Sequence, residues 1–166
     1  DEYTINRGRI EFLAAKQDNL DAVKLVLDKS STSNATDSKG RNLLFYAIDN
    51  ANTEMLTYLL TKGISPNKSD NQGNTALHYA VNSRNKEMLT LLLNRGASVQ
   101  AVNNEGNTPL HKAAFLGDID FIQLLFQKGA NPKAENLKGW KAFKVAKKNK
   151  QKAAAKYLKK AARGKV

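Results

Sequence analysis

Glycine recurs at Gly40, Gly73, Gly106 and Gly139, always 33 residues apart, and alanine keeps the same step at Ala14, Ala47, Ala80, Ala113 and Ala146. A third series, Gly63, Gly96 and Gly129, marks a later point in the same period. A fixed period of this length means that one small supersecondary unit is repeated and stacked. Such a unit cannot bury its apolar stripe alone, so its stability must come from its neighbours.

Each period reads as helix, helix, extended turn. After the first glycine comes a polar stretch such as Gly73-Asn74-Thr75-Ala76-Leu77-His78 or Gly106-Asn107-Thr108-Pro109-Leu110-His111. Threonine caps free N–H groups at a helix start, and Pro109 suits a first turn where its missing N–H would have no partner. The first helix is short and ends near Ala51, Arg84 or Gly117. The second carries apolar triplets, Leu25-Val26-Leu27, Tyr58-Leu59-Leu60, Leu91-Leu92-Leu93 and Leu124-Leu125-Phe126. With Val23, Met55, Met88 and Ile122 just before them, these form one buried stripe. Gly63, Gly96 and Gly129 end these helices, because glycine adopts the left-handed conformation without a steric penalty.

The stretches Thr108-Pro109-Leu110-His111-Lys112-Ala113-Ala114 and Leu124-Leu125-Phe126-Gln127-Lys128-Gly129-Ala130 resemble the signature of ankyrin repeats. The resemblance divides the chain into five units, 4–36, 37–69, 70–102, 103–135 and 136–166, and is strongest in the third and fourth. The second has Asn42-Leu43-Leu44-Phe45 in place of the motif, and the fifth has Lys141-Ala142-Phe143-Lys144. Departures at the ends are expected of caps, whose outer faces meet water. The fold class implied is an all-α ankyrin solenoid of stacked helix pairs with extended hairpin turns. The resemblance also implies a concave side lined by the hairpin tips and first helices.

No reaction chemistry is legible. Without cysteine, thiolate nucleophiles, disulfides and thiolate metal sites are excluded. His78 and His111 lie one period apart without the local spacing of a metal or catalytic set, and read as scaffold bonded to turn backbone and to the threonine three residues earlier. Asp118 with Asp120, and Asp18 with Asp21, sit at helix starts, where the dipole favours negative charge. The unit glycines lack the spacing and trailing Lys-Ser/Thr of a phosphate loop. The reading is a non-enzyme with no catalytic residue, metal or cofactor.

On the ankyrin resemblance, variable positions flank the unit glycine and follow the paired alanines. The candidate partner-binding set is Arg41, Tyr46, Asn74, Tyr79, Asn107, Lys112, Phe115, Leu116 and Trp140. Phe115 and Leu116 stand out as large apolar residues where earlier units carry Asp, Asn or Ser. Aromatic anchors framed by polar residues are typical hot spots. Core filling is the competing reading for Trp140 and Phe115.

The net charge of +12 is concentrated at one end. Twelve basic and no acidic residues lie between Leu137 and Val166, so the rest of the chain is neutral. Lys152, Lys156, Lys159, Lys160 and Arg163 fall on one face of a final amphipathic helix and, with Lys148, form a candidate basic patch. It serves as a solubilising cap or as a dock for an acidic surface.

The expected function is a protein-interaction module, as adaptor or as stoichiometric, immunity-type inhibitor of an enzyme. The expected partner is another protein with an acidic surface, the module being a monomer when free. The alternative is nucleic acid or another anionic surface at the basic end, disfavoured because the patch lacks interleaved aromatics or a base-reading element. The longest apolar runs are far too short to span a bilayer. The chain starts at Asp1 with no signal segment, so the expected location is the cytoplasm, or outside it after removal of a leader.

Overall fold

The computed structural model describes residues 10–28 and 35–164. Helical residues 10–16 (α1) are followed by α2 (Leu20–Asp28), α3 (Leu43–Asp49), α4 (Thr53–Thr61), α5 (Ala76–Asn82) and α6 (Lys86–Asn94). Then come α7 (Pro109–Leu116), α8 (Ile119–Gln127), α9 (Ala142–Lys148) and α10 (Lys152–Ala161). Among the described residues there is no strand, only the isolated bridges Ser69 to Thr75 and Glu135 to Lys141. The all-α reading is thus what the chain adopts.

Helices this short do not hold in water alone, so caps and packing define them. In the first four pairs the second helix begins at an Asn or Asp whose side chain accepts an N–H of the first turn, whereas α10 begins at Gln151 without a side-chain cap. Asn52 takes Met55 N at 2.7 Å, Asn85 takes Met88 N at 3.0 Å and Asp118 takes Phe121 N at 3.1 Å. The turn between paired helices repeats one left-handed residue at Asp18, Ala51, Arg84, Gly117 and Lys150. Only Gly117 takes it without Cβ strain, so four side-chain-bearing residues hold a conformation that local packing must impose.

The helices form two layers. The odd-numbered helices α3, α5, α7 and α9 contact one another in succession, as do α4 with α6 and α8 with α10. Close approach in the odd layer needs small side chains, and Ala47, Ala80, Ala113 and Ala146 are fully buried there. In the even layer the centre of each inner triplet is fully buried, at Leu59, Leu92 and Leu125, while Leu91, Leu93, Leu124 and Phe126 are only half-buried. In units 70–102 and 103–135 the triplet therefore has one core residue and two shoulders, which suits a helix packed on two neighbours, whereas in the earlier triplet Leu60 is buried beside Leu59.

Adjacent pairs are also joined by polar bonds. Asn71 N donates to Lys39 O at 2.8 Å, Asn104 N to Gln72 O at 2.9 Å and Leu137 N to Glu105 O at 3.0 Å. The two histidines reinforce this ladder. Thr75 N donates to His78 Nδ1 at 3.2 Å, so Nδ1 carries the lone pair and Nε2–H donates to Asn107 O at 3.0 Å. His111 repeats the arrangement with Thr108 N at 3.2 Å and Trp140 O at 2.8 Å. The scaffold reading of both histidines agrees with these bonds, and each also links one pair to the next.

Burial lowers the pKa of both imidazoles below the ordinary 6.5, against the raising effect of the backbone acceptors. A depressed histidine pKa means the unfolded chain binds the proton first. Stability from these groups is complete above about pH 6.5 and is lost as pH falls below it. Urea unfolding midpoints should therefore drop between pH 7.5 and 5.5, and a His78→Gln, His111→Gln double variant should show a flatter profile there. Equal slopes in the two proteins would contradict a role for the imidazoles.

Candidate interaction surface

Each hairpin is shaped by one side-chain oxygen. Asp37 Oδ1 accepts Lys39 N and Arg41 N at 2.8 and 2.9 Å, and Asp70 Oδ1 accepts Gln72 N and Asn74 N at 2.9 and 2.8 Å. Asn103 does the same for Glu105 N and Asn107 N, and Asn136 for Lys138 N and Trp140 N. Asp and Asn are equivalent for this job because both offer the same carbonyl-like oxygen. They differ at the second atom, and that difference sets the surface chemistry.

In the first two of these turns the second atom is a carboxylate oxygen. Asp37 Oδ2 accepts Tyr46 OH at 2.8 Å and Arg41 Nε at 2.9 Å, and Asp70 Oδ2 accepts Tyr79 OH at 3.0 Å. Burial opposes ionisation of Asp37, but the Arg41 N–H, the Tyr46 hydroxyl and the guanidinium outweigh it and hold the carboxyl below its usual range. Tyr79, desolvated and facing Asp70, is pushed up to about 12. In the next two turns the second atom is an amide donor. Asn103 Nδ2 gives to Asn74 Oδ1 at 3.0 Å and Asn136 Nδ2 to Asn107 Oδ1 at 2.7 Å. The tyrosine register then reads Lys112 and Val145, neither of which needs a carboxylate.

Arg41 and Tyr46 are accordingly tied down. Arg41 reaches Asp37 and Asp49 at 2.9 and 3.1 Å and lies 4.6 Å over the Tyr46 ring. Asn74, Tyr79, Asn107, Lys112 and Phe115 line one groove of about 410 Å³, the first three with side chains also bonded to Asn103, Asp70 and Asn136 respectively. Phe115 is 48% exposed there, with the Lys112 ammonium 5.6 Å from its ring centroid. Leu116 turns the other way and is half-buried against the core.

Trp140 lies outside the residues lining that groove. Its backbone is held by Asn136 and His111, and its half-buried ring packs against the core. Lys138, Lys144 and Lys148 place their ammonium groups 5.6, 5.2 and 5.7 Å from that ring. Lys148 is thus a neighbour of Trp140 on α9, a placement that helical spacing on the final helix does not disclose. Lys152, Lys156, Lys159, Lys160 and Arg163 are exposed, opposite buried Ala154, Leu158 and Ala161. Among the described residues no group of acidic, histidine or cysteine side chains is placed to hold a metal ion.

A family model described as ankyrin repeats matches in three copies, over residues 12–103, 68–136 and 99–165. The chain belongs to the ankyrin repeat family. No curated protein matches it with significance. Ankyrin repeats are generally protein–protein interaction modules and typically non-catalytic. In this ankyrin stack the groove is formed by hairpins and odd-numbered helices, the elements to which family resemblance assigns contact. Among the described residues no helix is long and apolar enough to cross a membrane.

Proposed function

We propose that this ankyrin stack, built of units 37–69, 70–102, 103–135 and 136–166 with a degenerate unit before them, is a non-catalytic module. It binds one protein partner across the groove and the Trp140 region, as an adaptor or as a stoichiometric inhibitor of an enzyme. One observation carries the reading: Phe115, a large apolar side chain, stands 48% exposed in a polar groove instead of joining the core. An apolar anchor ringed by hydrogen-bonding groups is the arrangement that a protein partner desolvates with gain.

The basic face of α10 supports a second reading, in which anionic polymer is the ligand. Capture from the source cell followed by mass spectrometry, repeated with Lys152→Glu, Lys156→Glu and Lys159→Glu together, separates the two. The groove reading predicts the same protein partner captured by both forms. Loss of that partner, together with loss of nucleic-acid retention, would move the function to α10.

A further inference from the structure

We propose that Trp140 with Lys138, Lys144 and Lys148 is a docking site for an acidic stretch of polypeptide, whose carboxylates bridge the three ammonium groups. The inference rests on the groove reading above and specifies the chemistry of the partner at its C-terminal end.

The argument begins with register. Ninety-nine residues before Trp140, three periods of 33, stands Arg41, and the same step takes Lys148 to Asp49 and Asn136 to Asp37. At Arg41 the surface cation is neutralised from within, by Asp37 at 2.9 Å and Asp49 at 3.1 Å. At the last turn both acids are gone, one to an amide and one to a lysine. Glu135 is the nearby carboxylate in an ion pair, and it pairs with Lys141 at 3.4 Å. Lys138, Lys144 and Lys148 keep only the Trp140 ring in common.

Three ammonium groups gathered on one ring repel one another. All three lie within 5.7 Å of one ring centroid, so their positive charge is concentrated on one small patch. The ring offsets part of this through cation–π attraction to each ammonium group. The arrangement is therefore positioned before any ligand arrives, and it lacks the negative charge that its equivalent at Arg41 possesses. A partner supplies it.

Carboxylates fit better than nucleobases. Ammonium groups already lie over the ring, so a stacking base would have to displace them, whereas a carboxylate bridges them where they stand. The neighbouring groove adds Asn74 and Asn107, whose amides suit the backbone of an extended peptide, and Phe115, which suits an apolar side chain a few residues away.

Trp140 is the only tryptophan in the chain, so its emission reports this site alone. The full chain is titrated with a glutamate-rich decapeptide containing one leucine, and separately with a ten-nucleotide oligothymidylate. Two variants with equal change of charge are compared: Lys138→Glu, Lys144→Glu, Lys148→Glu, and Lys152→Glu, Lys156→Glu, Lys159→Glu. The expected result is a saturable emission change with the peptide, weakened about tenfold or more by the first variant and less than about threefold by the second. Equal weakening by both variants, tighter binding of oligothymidylate, or no saturable change would overturn the site. If the first variant unfolds, Lys148→Glu alone, on an exposed side chain, decides the matter by the same comparison. Against a captured protein partner, normal binding by the first variant with loss in Phe115→Ala would overturn the acidic site and leave the groove reading standing.

Discussion

Replacing Gly106 with alanine should destabilise the stack by about 2–5 kcal/mol, well beyond the effect of Gly129→Ala. Both glycines have positive φ, +74° and +89°, so either alanine meets the left-handed penalty of roughly 1–2 kcal/mol. They differ in what the added Cβ would touch. At Gly129 nothing lies within 4 Å, whereas at Gly106 the new atom would stand 2.7 Å from Leu137 N and 3.1 Å from Asn136 Cα. Those are backbone atoms of the next hairpin and cannot swing aside. To relieve the clash, the ladder bond from Leu137 N to Glu105 O at 3.0 Å must lengthen, and the neighbouring His111 link to Trp140 O at 2.8 Å is put under load. In a stack whose stability is summed over neighbouring interfaces, this loosens the last pair first. Urea unfolding followed by Trp140 emission should precede the loss of far-UV circular dichroism in Gly106→Ala. Coincident transitions with a midpoint like that of Gly129→Ala would show that the hairpin junction carries little of the stability.

The second large effect concerns binding. Phe115→Ala should weaken a captured protein partner at least about tenfold, the usual consequence of truncating a central aromatic anchor. Its thermal stability should stay within about 0.5 kcal/mol of the parent, because Phe115 is 48% exposed and is not among the side chains packed on the core. Leu116→Ser does not make so clean a test. Leu116 is half-buried against the core, and a hydroxyl there removes packing as well as any contact. A large drop in melting temperature for Phe115→Ala with unchanged affinity would assign that ring to the fold.

The period was sufficient for the architecture because 33-residue spacing, terminal glycines and one buried stripe all demand the same stacked hairpin. The histidine role was legible too, since a residue repeated in register beside a threonine serves the repeat. The surface was less so. Tyr46 and Tyr79 read from sequence as members of the partner-binding set, yet their hydroxyls bond Asp37 and Asp70, nine positions earlier. The visible signal was the joint exchange of Asp for Asn and Tyr for Lys112 between units, which only makes sense once hairpin and helix are known to touch. Lys148 groups by sequence with the lysines of α10. Its place beside Trp140 follows from hairpin-to-helix geometry, for which neither 3.6-residue nor 33-residue periodicity contains a rule.

Hydrogen exchange of the stack, free and saturated with its captured partner, tests the central claim most directly. Slowed exchange should appear in the hairpins 103–107 and 136–140 and along α5, α7 and α9, with α6 and α8 unchanged. Protection confined to α10, or spread over α6 and α8 with the hairpins exchanging as before, would contradict it.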